Sequence, residues 1–158
     1  MFRPMRRFKQ QISEEECIRI LKEEPRGVLS VIGDDGYPYG VPIDHYYDEE
    51  TGKIYFHGAK EGHKVDALKT CDKASLCVID KGYQIPGEWP WHFHSVIVFG
   101  RVKEVTDPAL RRRKLEELAR KYYPTEEEVQ EEIKKALDRV LFLEMSIEHM
   151  TGKLVKES

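Results

Sequence analysis

The sequence predicts a mainly β domain with peripheral helices, an α+β chain whose strands close into a small barrel. Three observations carry this reading. Six segments rich in β-branched and aromatic residues follow one another across short turns, and Asp35-Gly36 is a strong hairpin signal among those turns. Helix-start signals occur at a few places only: Ser13 with Glu16, Asp107-Pro108, and Thr125 with Glu128. A six-stranded sheet would also leave two unpaired edges, and closure removes them.

Ser13 and Glu16 form a capping box that opens a short helix with Cys17, Ile20 and Leu21 on one face, and Pro25 ends it. Residues 27–32 read as a strand, and residues 39–47 as its return across the Asp35-Gly36 turn. Pro42 marks that return strand as an edge or a bulge, because proline cannot donate to a ladder. The cluster at 48–52 turns the chain into a strand over 53–57. A helix-like stretch with Val65 and Leu68 on one face follows, then a strand over 74–79. A proline- and aromatic-rich loop spans 82–93, and a long strand spans 95–105. Asp107 caps a helix with Pro108 at its first position and a buried stripe of Leu110, Leu115, Leu118, Ala119 and Tyr122. The second capping box, Thr125 and Glu128, starts a helix with Val129, Ile133 and Leu137 inward. The last strand runs over about 140–147. Without repeats, low-complexity segments or linkers, residues 1–158 read as one domain.

Composition excludes several functions. Lys and Arg number 26 against 29 Asp and Glu, for a net charge of -3 with interspersed signs. That gives neither a nucleic-acid footprint nor a membrane-surface stripe. No apolar run approaches a membrane span, and the basic start MFRPMRRFKQQ lacks the apolar core of a signal peptide. Cys17, Cys71 and Cys77 have no CxxC spacing, which argues against both a disulfide framework and a zinc site. A cytoplasmic protein with no nucleic-acid or membrane partner is the expectation.

The chemistry concentrates at residues 54–69, IYFHGAKEGHKVDALK. An apolar strand ends in the small residues Gly58 and Ala59, and a helix begins where Lys60, His63 and Lys64 cluster. A helix start offers unpaired N–H groups and a positive dipole end, so a phosphate is a natural ligand. The pattern is neither a P-loop nor GxGxxG. From these residues alone, a solvated basic helix start is an equal alternative.

Four motifs stand in order: GVLSVIGDDGYPYGVPIDHYY, IYFHGAKEGHK, HSVIVFGRVKEV and IEHMTGK. Together they resemble the FMN-binding split-barrel proteins related to pyridoxamine-phosphate oxidase, and within them the nitroimidazole-resistance branch. The resemblance covers roughly residues 5–153. It implies a six-stranded FMN-binding split β-barrel that forms a homodimer, with FMN held between the subunits. By motif, His63-Lys64 stands where the oxidase branch has the Arg-Lys pair that contacts the FMN phosphate. His57 and Gly58 end the strand flanking the flavin, and Val41, Pro42, Ile43 and Asp44 match the strand whose main chain borders its ring. Ser95 matches a polar position that reaches the ribityl-phosphate region. A His replaces the first phosphate Arg, and the ending TGKLVKES lacks the oxidase's Trp and Arg pattern, which argues against vitamin-oxidase activity.

The expected function is an FMN-dependent oxidoreductase that passes electrons from a reduced nicotinamide or another donor to a small, nitroaromatic-like acceptor. His57 is the candidate catalytic residue, polarising the acceptor. The other class is a non-catalytic flavin carrier or sensor, or a split barrel that binds haem or another ligand. Several residues keep two readings. Asp44 accepts the flavin N3–H or pairs with a lysine, while Trp89 and Trp91 form a lid or an interface. Tyr46, Tyr47 and Trp91 are candidates for dimer surface, and Lys153 for reaching the partner's site. His92 and His94 alternate on one strand face but lack a third ligand, so no metal is expected.

Overall fold

The computed structural model describes residues 1–156 and shows one antiparallel sheet curled around a core. Its strands are β1 (Arg26–Ile32), β2 (Pro38–Asp44), β3 (Tyr46–Asp48), β4 (Lys53–Ala59), β5 (Lys73–Ile79), β6 (Tyr83–Gln84), β7 (Trp91–Glu104) and β8 (Val140–Lys156). Their order is β2-β1-β5-β7-β8-β4-β3, with β6 paired to β7. The helices are α1 (Glu14–Glu23), α2 (His63–Thr70), α3 (Pro108–Tyr122) and α4 (Glu126–Ala136). Among the described residues, none is long and apolar enough to cross a membrane.

The caps form where the sequence places them. The side chains of Ser13, Asp107 and Thr125 accept from the backbone N–H groups of Glu16, Leu110 and Glu128. At the Asp-Gly turn both Asp35 (φ 56°) and Gly36 (φ 77°) are left-handed, the conformation this pair tolerates. β2 is an edge strand, as Pro42 requires.

Two cores share β4. Inside the curl, Leu29, Val31, Ile54, Phe56, Leu76, Val96, Val98 and Met145 pack around Cys17, Ile20 and Leu21 of α1, which plugs the sheet. Outside it, α3 and α4 lay Leu115, Leu118, Val129 and Ile133 on Tyr55 and Phe142. Burial on both faces explains why Ile54-Tyr55-Phe56 reads as an unbroken apolar run.

Four expectations need correction. The sheet has eight strands rather than six, because the return strand divides into β2 and β3 and the aromatic loop contributes β6. The barrel is not closed, since β2 and β4 touch without pairing. The last strand continues to Lys156 past a register shift opposite Phe99 and Gly100, where a side chain on Gly100 would run into the Ser146 carbonyl. Tyr46 and Tyr47 are covered by their own chain: Tyr47 lies in the inner core, and the Tyr46 hydroxyl donates to Glu117.

The division between β2 and β3 falls at His45, and α3 holds it. The His45 amide donates to the Tyr122 hydroxyl (2.9 Å), and its carbonyl accepts from Lys121 Nζ (2.8 Å). Tyr122 in turn donates to the Pro25 carbonyl (2.6 Å). Lys121 also caps the end of α1 by donating to the carbonyls of Glu24 (2.7 Å) and Leu21 (3.2 Å). The His45 ring is fully buried, with Nε2 on the Leu21 carbonyl (2.8 Å).

Burial, with the Lys121 charge second, pushes the His45 pKa down to about 4. As pH falls, the unfolded chain takes up the proton first, near pH ~6.5. Stability from the neutral ring is therefore complete above that pH and is lost progressively toward pH 4, by roughly 3 kcal/mol in all. In urea unfolding at pH 7 and pH 4.5, His45→Gln should show a clearly smaller loss between the two pH values than the parent. Equal losses would contradict the account.

Candidate functional site

The β3–β4 ladder pairs Tyr46 with Tyr55 and Asp48 with Lys53. Carried on in the same register, it would set Asp44 opposite His57 and Pro42 opposite Ala59. It stops at His45 instead, so residues 56–59 of β4 pair only with β8, and β2 pairs only with β1. Two strand edges thus face each other across a seam. Val41 and Ile43 point into the core, leaving the β2 main chain to form one wall.

The first turn of α2 straddles this seam. No side chain caps it, and it starts at Gly62, whose φ of 136° suits glycine. His63 reaches the β2 side. Its ring packs on Tyr39 at 4.2 Å between centroids, and Nε2 accepts from the Asp34 amide (3.2 Å). An accepting Nε2 leaves a proton on Nδ1, so that side of the ring can donate. Lys64 reaches the β4 side and lies on Gly58, where a Cβ would stand 2.8 Å from Nζ. The ammonium is half-buried and has no carboxylate partner among the described residues, so burial lowers its pKa below the usual lysine value.

Further along the seam, His57 and Asp44 line one cavity of about 110 Å³ beneath α3 and α4. Tyr122, Tyr123 and Glu132 complete its polar wall. Asp44 pairs with Arg26 (2.8 Å) rather than with a lysine. His57 Nδ1 is buried without a protein partner. Sequence reasoning missed Arg26, Tyr39, Tyr123 and Glu132. Tyr122 counted only as packing, and no local pattern reveals its polar contacts.

Two expected members are not brought to the seam. The Lys60 amine donates to the Asp138 carbonyl (2.6 Å), away from His63 and Lys64. Ser95 pairs with Ile79 and Lys153, six residues along β7 from Arg101 and so roughly 20 Å from the end of the sheet that carries α2. Trp89 is almost fully exposed. His94 Nδ1 bonds Asp80 (2.6 Å) and His92 stacks on Tyr83, and no metal-like group of three ligands converges among the described residues.

The sequence model of the pyridoxamine 5'-phosphate oxidase family matches residues 13–154. The chain belongs to this family. No curated protein matches the sequence at a significant level. Among solved structures, it resembles a candidate 5-nitroimidazole antibiotic resistance protein from Bacteroides thetaiotaomicron (19% identity over 92% of this chain and 87% of that one, TM-score 0.77). It also resembles an FAD-binding protein from Mesorhizobium loti (23%, 92% and 97%, TM-score 0.67). A third is an FAD- and haem-binding protein from Mycobacterium smegmatis (20%, 92% and 73%, TM-score 0.74). At these identities the likeness shows the shared fold alone, a split barrel.

An imidazole nitrogen buried without a partner costs stability, on the order of 1–3 kcal/mol. His57→Leu should therefore raise the thermal midpoint by a few degrees. A lowered midpoint in a thermal melt would show that His57 is a packing residue instead.

Proposed function

We propose that the chain is an FMN-binding flavoprotein with the cofactor along the β2–β4 seam, and that as a homodimer it reduces small, nitroaromatic-like acceptors. One observation carries the reading: Lys64, half-buried at an uncapped helix start, has no counter-charge among the described residues. A phosphate there supplies the missing counter-charge and uses the free amides of the turn. Lys64, the His63 Nδ1–H and those amides would hold the phosphate, and Gly58 leaves room for the lysine to reach it. The β2 main chain over 41–43 would border the ring, with Asp44, fixed by Arg26, at its polar edge.

Bound FMN supplies the electron-transfer chemistry. His57 would hold a proton or donate a hydrogen bond at Nδ1 toward an acceptor in its cavity. The helices over that cavity would exclude water.

Members of this family are typically dimers. The outer face of β1, β5 and β7 exposes Val28, Cys77, Ile79, Ile97 and Phe99 side by side, with Val28 beside Cys77 and Cys77 beside Ile97. This face, rather than Tyr46 and Tyr47, is the surface a second copy would cover. Ser95 lies on β7 at the same face, so its route to a cofactor would be across the dimer.

Losing a charge-assisted phosphate contact removes about 1.5–3 kcal/mol. FMN should therefore bind at least about tenfold more tightly than riboflavin. Lys64→Ala should abolish most of that preference, and Lys73→Ala, exposed on β5, should leave it intact. Equal affinities for the two flavins would sink the phosphate assignment. Anaerobic titration with a reduced nicotinamide separates the classes: bleaching with acceptor-dependent return of colour supports the reductase, and no bleaching supports a flavin carrier.

A further inference from the structure

Between α2 and the strands β7 and β8 lies a second pocket of about 320 Å³, which the flavin reading does not use. Its floor is apolar: Val65, Leu68, Val102, Leu141 and Leu143. All but Leu68 are also buried core residues, so the pocket opens directly onto the inside of the sheet. Val65 is turned about 100° around α2 from Lys64, whereas Leu68, one turn further along, shares the Lys64 face; the pocket lining includes both apolar residues but not Lys64. The recess is open to solvent over an apolar floor, the setting in which a small ligand can bury an apolar body.

The rim gives it a sign. Lys60, Lys69 and Lys103 surround the mouth, with Glu104 as the one acid. Lys103 is already matched by Glu144 (3.3 Å). The Lys60 amine donates to a carbonyl, which satisfies a hydrogen bond but not a charge, and Lys69 has no ion pair among the described residues. Two lysine charges therefore remain over an apolar floor. All three rim lysines are exposed, so their stems do not fill the recess. At roughly 30 Å³ per water-sized unit, the volume suits about ten non-hydrogen atoms.

We infer that this pocket binds a small monoanionic amphiphile, a carboxylate carried on an unbranched or aromatic apolar body, about ten non-hydrogen atoms in all. The carboxylate sits between Lys60 and Lys69, and the body lies on Val65, Leu68 and Leu143. Glu104 on the same rim disfavours ligands with more negative charge.

Sodium octanoate is the probe, added to the purified protein and followed by calorimetry and by methyl NMR. From butanoate to octanoate, each added methylene should tighten binding about three- to fourfold, with the gain stopping near decanoate as the recess fills. Octylammonium should bind at least about tenfold more weakly than octanoate, and Lys60→Ala combined with Lys69→Ala should weaken octanoate by a similar factor. Both lysines are exposed, and an unchanged NMR spectrum of the free variant would establish that it is folded. The methyl shifts should centre on Val65, Leu68, Val102, Leu141 and Leu143. No binding at millimolar octanoate, equal affinity for octylammonium, or shifts centred elsewhere would overturn the proposal. A loss of octanoate binding in Lys64→Ala equal to that in the double variant would also overturn it, because the anion would then sit at the seam. That outcome leaves the FMN reading standing, just as failure of FMN binding leaves this test unaffected.

Discussion

The clamp on His45 decides the shape of everything around it. Its amide and carbonyl are taken by Tyr122 and Lys121 of α3, and its ring by the end of α1. A buried peptide group left without partners costs on the order of 1–3 kcal/mol. The chain can therefore leave the β4 ladder at this residue only because α3 supplies substitutes. From that one departure follow the seam, the exposed backbone of β2 and the cavity beneath the helices. α3 thus does more than cover the barrel: it holds the strand apart at His45.

Two buried lysines show how structural and functional cations differ. Lys114 is fully buried, and although burial alone would lower its pKa, the hydrogen bonds it donates to Asp48, Glu117 and Glu50 raise it above the ordinary lysine value. It ties α3 to the β3–β4 turn and leaves nothing for a ligand. Lys64 is half-buried with no such partners, and its pKa moves the other way. Two further departures from good local chemistry gather along the same seam: the orphaned Nδ1 of His57 and the uncapped start of α2. Stabilised proteins avoid such features, and functional sites collect them.

Local signals were legible and distant ones were not. The caps at Ser13, Asp107 and Thr125 and the edge position of Pro42 depend on neighbours within a few residues or on the residue itself, and the sequence displays them. At Ser13 the box is only half made, because the Glu16 side chain turns to Arg19 instead. The break at His45 depends on partners 76 and 77 residues away, which no periodicity encodes. Lys60 looked like a member of the phosphate cluster, but the Asp138 carbonyl claims it from a similar distance in sequence, 78 residues. The open outer face is legible in the sequence as well. The runs ASLCVI and SVIVFG are apolar at outward as well as inward positions, the mark of strands covered on both sides. In the candidate site, the α2 start and Gly58 were found by motif, whereas Arg26, Tyr123 and Glu132 come from remote elements and carry no local signature.

The most direct test of the seam assignment is phosphorus NMR of FMN bound to the protein, followed as a function of pH. A phosphate monoester free in water takes up its second proton near pH ~6. Held against Lys64, it should keep the dianion shift from pH 8 down to about pH 5.5, because a neighbouring cation favours the charged form. In Lys64→Ala the bound signal should titrate again, close to the free value. A bound phosphate that titrates like the free cofactor in the parent protein would contradict the account.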